Sequence, residues 1–232
     1  MTDNENGFNL FEMCTAVLLG LAATATALVS HESGLWGGRS VEAYGEAATM
    51  TSKASNLDNS AVVEASQDSN IEIEAKKLIR EARKLQNESE KEASLNLASY
   101  LLSDFLSDAA YKAFALPPEY RDGDKQDSYI PDEVLVSFGE SEGLGDEYTK
   151  DLFSEAEELF AKADQTFNSG REANNIGDKF SFAAVLYAIS LFFSGIASVL
   201  KSNVRWVVLG AGTVLLIVSS GYVATLEWLP LL

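Results

Sequence analysis

The chain has 232 residues, a formal net charge of −18, one histidine and one cysteine. Those two counts exclude a zinc site built from Cys and His, a Cys–His nucleophilic pair and a disulfide within the chain. Acid in such excess also argues against a nucleic-acid partner, because phosphates call for basic surfaces.

The first apolar segment is MCTAVLLGLAATATALVS, residues 13–30, with 18 residues and no charge. At about 1.5 Å per residue such a helix reaches nearly across a hydrocarbon core of about 30 Å. Ala25-Thr26-Ala27 offers a signal-peptidase pattern. Against it, the flank MTDNENGFNLFE carries three acids and no base, and the apolar run exceeds the roughly 7–15 residues of a signal-peptide core. Residues 1–31 are therefore predicted to be a short tail and an uncleaved transmembrane helix, with Trp36 as an anchor just beyond it. Cys14, inside that helix, reads as a packing residue. His31-Glu32 opens an H-E-x-x-H pattern whose second histidine is missing, so both read as polar residues at an interface.

Residues 32–179 hold 31 of the 35 acids and 15 of the 17 bases, a net of −16, in a stretch long enough to form its own core. Residues 40–66, rich in Ala, Ser and Glu, read as a weakly periodic helix continuing the first span. Beyond Glu72, Ala75, Leu78, Ile79, Ala82 and Leu85 share one helical face, while Lys76, Lys77, Arg80, Arg83 and Lys84 mostly crowd the other. The apolar face resumes with Leu97, Leu101, Phe105 and Ala109 until Pro117-Pro118 forbids further helix. Another helix, from about 147 to 174, carries the stripe Leu152, Phe153, Ala156, Leu159, Phe160, Ala163 and Phe167. Asp146 with Lys150 and Glu158 with Lys162 sit on it at the favourable i,i+4 spacing.

Between those helices lies LPPEYRDGDKQDSYIPDEVLVSFGESEGLGDE, the least regular stretch, with ten acids. Asp122, Asp124, Gln126 and Glu133 fall at positions 1, 3, 5 and 12 of an EF-hand calcium loop. Asp127 stands where that loop needs glycine, and a Pro-Pro pair precedes it where a helix should, so a solvated acidic loop is the reading. No period of two occurs along the chain, and no sheet is expected.

Residues 180–200, FSFAAVLYAISLFFSGIASVL, and 206–226, WVVLGAGTVLLIVSSGYVATL, are each 21 uncharged residues, and the turn KSNVR, 201–205, joins them. Each run spans about 31 Å as a helix, and so short a link makes them an antiparallel hairpin. Trp206 and Trp228 mark the ends of the third span, and 227–232 form a tail. Gly210-Ala211-Gly212 imitates the turn of a dinucleotide-binding unit. Its third glycine position is Leu215, no second strand leads to Glu227, and only five residues follow that acid, so a cofactor domain cannot be completed.

Neither G-x-S-x-G nor G-K-[ST] occurs, which leaves no hydrolase elbow or phosphate loop to propose. No catalytic, cofactor-binding or metal-binding residue is nominated, no cofactor is expected, and the chain is predicted not to be an enzyme. The apolar runs also lack the ionisable residue by which a transport site is recognised. Ser190, Ser194 and Ser198, like Ala16, Gly20 and Thr24, recur every fourth residue, a spacing that lets helices approach closely within the chain or between copies.

REANNIGDKFSFAAVLYAISLFFSGIASVL, where an amphipathic helix passes into the second span, followed by KSNVR and WVVLGAGTVLL, resembles an uncharacterised bacterial membrane-protein family, a domain of unknown function. That family has one N-terminal span, a helical middle and a C-terminal two-span hairpin. The similarity covers topology over the whole chain and pattern over about sixty residues. It implies a membrane protein and no particular activity.

KSNVR has two bases and no acid, and short loops govern the positive-inside rule, so the turn and the N-terminus are predicted to be cytoplasmic and the insert extracytoplasmic. The acidic N-terminal tail and Arg39, Arg171 and Lys179 beside the insert point the other way, but long domains translocate largely without regard to charge. The expectation is an all-α integral membrane protein with three transmembrane helices and a helical soluble insert between the first and second. Two functions fit it. One is a membrane-anchored structural or interaction protein presenting an acidic helical domain, its partners being the bilayer, further copies met through small-residue helix faces, and an unidentified membrane or soluble protein. The other is an oligomeric channel-like or transport-accessory protein with a cation-attracting vestibule.

Overall fold

A computed structural model describes residues 10–121 and 129–229, and every regular element among them is helical. In chain order these are α1 (Leu10–Ala82), α2 (Glu88–Asp104), α3 (Asp108–Ala113), a 3-10 turn (Pro118–Tyr120), α4 (Asp132–Glu140), α5 (Asp146–Val199) and α6 (Val204–Val223). α1 is continuous over 73 residues and α5 over 54; neither contains a proline to interrupt its hydrogen-bond ladder. The apolar runs 13–30, 180–200 and 206–226 fall on α1, α5 and α6, except that Leu200 lies past the end of α5 and residues 224–226 past the end of α6; all three helices are long and apolar enough to cross a membrane. By contact density the chain forms two compact units, one of residues 1–48 with 164–232, the other of residues 49–163.

In the first unit, Phe11 and Leu18 of α1 pack with Ala197 of α5 and Leu209 of α6. Val29 of α1 packs with Ile176, Phe180, Ala183 and Tyr187 of α5 and Val223 of α6. As α1 advances from Phe11 to Val29, its partners on α5 run backward and those on α6 run forward. α5 is therefore antiparallel to both, as the five-residue link requires. Edge-on ring pairs close the two ends, Phe11 on Trp206 at 4.9 Å and Phe180 on Trp228 at 5.2 Å. Glycine governs two of the approaches by its size. A Cβ on Gly170 would lie 2.8 Å from the Tyr44 ring, and one on Gly212 would lie 3.1 Å from the Ser190 carbonyl oxygen.

The second unit has its own core, in which Ala75, Ile79 and Ala82 of α1 meet Leu95, Ala98 and Leu102 of α2, Leu135 and Phe138 of α4, and Tyr148 of α5. The buried side of α2 is not the expected Leu97–Leu101–Phe105 face but a second apolar one: Leu95, Ala98, Ser99, Leu102 and Ser103 face in, while Leu97 and Phe105 are about half exposed. Burial of Leu95, Ala98 and Leu102 in the core sets this face, and one buried hydrogen bond adds to it. Ser99 Oγ accepts the buried Ile130 amide at 2.8 Å, a donor with no water to satisfy it. A second departure is the break at residues 105–107 within the helix expected to reach Pro117-Pro118. Ser107 leaves helical geometry to cap α3, its hydroxyl accepting the Ala110 amide.

α3 ends with the paired backbone bonds of a Schellman turn, Leu116 N to Tyr111 O and Ala115 N to Lys112 O. Ala115 takes the left-handed position at φ 51°, where glycine is the usual residue. A third departure is α4, a helix inside the stretch read as irregular. Pro131 starts it, and Leu135 and Phe138, one turn apart, bury against α1 and α2. Lys76 ties that end to α1, donating to Glu72 at 2.8 Å and to the Ser141 carbonyl at 2.9 Å beneath the Phe114 and Phe138 rings. On α5 the expected Glu158–Lys162 pair forms at 2.6 Å, holding the exposed Glu158 carboxyl below its ordinary range; Asp146 and Lys150 form no ion pair.

Candidate functional site

The most enclosed polar group of the second unit is Asp68, on α1 at 1% exposure. Three donors converge on its carboxylate. Oδ1 accepts the Ser107 amide at 2.7 Å, and Oδ2 accepts the Ser107 hydroxyl at 2.5 Å and the Tyr148 hydroxyl at 2.6 Å. Ser107 thus has a double task, donating to Asp68 while accepting from Ala110 at the start of α3. The nearby cation is committed elsewhere. Arg121 pairs with Asp108 at 2.5 Å, donates to the Leu106 and Ser107 carbonyls, and lies over the Tyr111 ring. Hydrogen bonds therefore satisfy the oxygens of Asp68, and no cation balances its charge among the described residues.

Three tyrosine hydroxyls of this unit are pushed above their ordinary range. For Tyr148 burial is the larger cause, followed by its hydrogen bond to Asp68, with the Glu64 carboxylate adding repulsion. Burial also leads for Tyr129, whose hydroxyl donates to Asp132 at 2.5 Å. At Tyr111 burial outweighs the opposing charge of Arg121. Each hydroxyl is a hydrogen-bond donor, Tyr148 to Asp68, Tyr129 to Asp132 and Tyr111 to the Pro117 carbonyl.

Comparison with protein-family models, with curated proteins and with solved structures gives no match. Function must therefore be argued from the chain's own residues.

The positions singled out in the sequence are scattered. Gly210, Gly212 and Leu215 all lie inside α6, with no strand before them. Cys14 is half-buried against the Phe11–Leu18 cluster. His31 is exposed, whereas Glu32 is 2% exposed and accepts the Leu229 amide at 3.3 Å. Of the EF-hand pattern, Glu133 is in the first turn of α4, and Asp122, Asp124, Gln126 and Asp127 lie outside the described residues. No group of three or more metal-ligating side chains gathers among the described residues. Asp68 escaped notice because it sits in SQDSN, a polar run like any solvated turn of helix. Its only signal was Ser107-Asp108 before the apolar Ala109-Ala110-Tyr111, a helix start of the kind that draws a partner.

In the first unit the buried hydroxyls of the apolar runs are already in use, whereas the indole N–H of Trp36 on α1 is buried without a hydrogen-bond partner among the described residues. Ser190 Oγ donates across to the Gly212 carbonyl at 2.7 Å, Ser194 donates to its own Ser190 carbonyl at 2.9 Å, and Tyr187 meets Ser220 at 3.1 Å. Ser190 and Ser194 are fully buried, and Ser198 is exposed. The other small-residue row, Ala16, Gly20 and Thr24, faces outward, and nothing lies within 4 Å of a Cβ placed on Gly20. Around it the outer surface is apolar on every helix. Only 22%, 28% and 22% of the residues in the apolar stretches of α1, α5 and α6 are buried, so the remainder, including Leu21, Phe192, Val207 and Ile217, projects from the bundle.

Proposed function

We propose that the chain is an integral membrane protein whose three apolar helices anchor an acidic helical module that works by binding, without catalytic turnover. The observation that carries this reading is the apolar exterior of the helices of the first unit. Large side chains such as Phe192, Ile217 and Val207 are 63–72% exposed on its outside. Thr15, Ser190, Ser194 and Ser219 are buried with their hydroxyls bonded to backbone carbonyls, and exposed hydroxyls such as Thr24, Ser198 and Ser220 bond back to carbonyls of their own helices. A protein dissolved in water rarely exposes contiguous apolar surface on that scale, whereas in hydrocarbon the same surface is solvated and the inward hydroxyls meet the demand for internal hydrogen bonds.

The 201–205 turn carries Lys201 and Arg205, and Arg205 lies 4.3 Å over the Phe11 ring, so the basic turn and the start of α1 share one end of the first unit. On the positive-inside rule this reading takes that end as cytoplasmic and the acidic insert, residues 32–179, as extracytoplasmic. The outward row Ala16, Gly20 and Thr24 is the surface by which copies would meet.

A channel-like assembly is the competing reading. Its disadvantage is that Ser190 and Ser194, hydroxyls suited to line a path, are spent on contacts within one chain. Light scattering of the protein in mild detergent, followed by cation flux in liposomes, separates the two. A monomer or dimer with no flux above empty vesicles is expected; a ring of four or more subunits with a cation leak selects the channel instead.

A further inference from the structure

Asn87-Glu88-Ser89 is an N-x-[ST] tripeptide, the pattern whose asparagine accepts an N-linked glycan. Of the twelve asparagines in the chain, Asn87 is the only one with a serine or threonine two places on. Its use requires an amide that a transferase can reach, a backbone not locked into a helix or a core, and a position outside the cytoplasm. The fold supplies the first two. Asn87 lies in the link that follows α1, extended at φ −86° and ψ 112° as the N-cap of α2, and residues 86–90 are all exposed. The proposed sidedness supplies the third, since the insert, residues 32–179, is taken as extracytoplasmic and Asn87 is remote in sequence from both apolar runs that flank it.

Capping alone accounts for the asparagine, which is among the residues preferred at an N-cap. It makes no demand on the serine. Asn87 Oδ1 accepts the Ser89 backbone amide at 3.1 Å, a contact that does not use the serine hydroxyl, while Asn87 Nδ2 donates to the exposed Glu90 at 3.0 Å. We propose that Asn87 is the acceptor of an N-linked oligosaccharide carried by a lipid-linked sugar phosphate. In the transfer Asn87 Nδ2 bonds to the anomeric carbon of the sugar as the bond from that carbon to the phosphate oxygen breaks. The amide gives up one proton, and the lipid phosphate leaves with the electron pair. The product keeps one hydrogen on Nδ2 and its carbonyl oxygen, so the cap of α2 survives the modification. This inference rests on the extracytoplasmic placement of the insert proposed above.

The test is synthesis of the full-length chain in the presence of sealed microsomal membranes, which hold the transferase and its donor. Gel mobility before and after peptide-N-glycosidase F reads the glycan. A single upward shift, reversed by the glycosidase, is expected. It should vanish in Asn87→Gln and in Ser89→Ala, the second of which leaves both atoms of the cap in place, and persist in Ser89→Thr. Trypsin added to the same sealed membranes reads the side separately, because the insert holds 15 of the chain's 17 bases and the protease reaches them only on the cytoplasmic face. No shift on a chain whose insert is protected overturns the acceptor and leaves the sidedness standing. No shift on a chain whose insert is cleaved overturns both. A shift that survives Asn87→Gln or Ser89→Ala also overturns the assignment.

Discussion

Asp68 is the residue whose replacement says most about the second unit. Asp68→Asn keeps a carbonyl oxygen for the Ser107 amide but offers an NH₂ where the Ser107 and Tyr148 hydroxyls both need an acceptor. Two buried donors lose their partner, at about 1–3 kcal/mol each. Thermal unfolding followed by circular dichroism should show a loss of about 2–5 kcal/mol, about half of it relieved in the double variant Asp68→Asn with Tyr148→Phe, which removes one of the two stranded hydroxyls. The pH dependence has a definite sign. Tyr148 and Tyr129 hold their protons more tightly in the fold than an ordinary tyrosine hydroxyl does, chiefly because both are buried. Below about pH 10, where an ordinary tyrosine titrates, both states are protonated and the stabilisation is complete; above it the unfolded chain has lost protons that the native one keeps, so stability falls as pH rises. Melts between pH 8 and pH 11 should therefore descend above about pH 10, and Tyr148→Phe should flatten the descent. A profile unchanged by that substitution would contradict the assignment.

At the scale of elements, what the sequence made legible was what repeats. Twenty-one uncharged residues twice over admit few interpretations, and helices long and apolar enough to cross a membrane cover most of each run, α5 stopping at Val199 and α6 at Val223. The register of α2 was illegible because the helix carries two apolar sets, Leu97, Leu101 and Phe105 on one side and Leu95, Ala98 and Leu102 on another. The second is the one buried, with Ser99 beside it accepting the Ile130 amide from 31 residues away. α4 was hidden for a related reason. Nine residues with two core contacts give too short a period to stand out from an acidic loop. Glycine spacing, in turn, marked close helix approaches without revealing which of them are used. Gly212→Leu places a side chain 3.1 Å from both the Ser190 carbonyl oxygen and Ser194 Oγ, and 3.3 Å from Phe193 Cβ. It should destabilise the α5–α6 hairpin by about 1–3 kcal/mol, read as an earlier aggregation midpoint in detergent. Gly221→Leu, in the same helix with nothing within 4 Å of its Cβ, should leave that midpoint within about 0.5 kcal/mol of the parent. Equal effects would mean that the hairpin is not packed as described.

For the molecule as a whole, the mean hydropathy of −0.01 is an average over two kinds of surface that one solvent does not satisfy. The second unit buries its apolar residues around Ile79, Leu102 and Leu135, and of its described carboxylates only Asp68 and Glu72 are buried. The apolar helices of the first unit bury Phe11, Val29 and Phe180 too, yet also expose Phe, Val, Ile and Leu side chains along their length, and their buried polar groups are chiefly hydroxyls such as Ser190, Ser219 and Thr15. Such partition is legible in the sequence as charge placement, since 31 of 35 acids fall between residues 32 and 179. The inward use of the hydroxyls is not, because a serine facing lipid and a serine facing a neighbouring helix look alike in a sequence. Lipid as the solvent of α1, α5 and α6 is the central claim, and washing membranes that contain the protein with alkaline carbonate tests it most directly. The account predicts that the chain stays in the pellet even where high pH has loosened the tyrosine-tied second unit; recovery of the intact chain in the supernatant would contradict it.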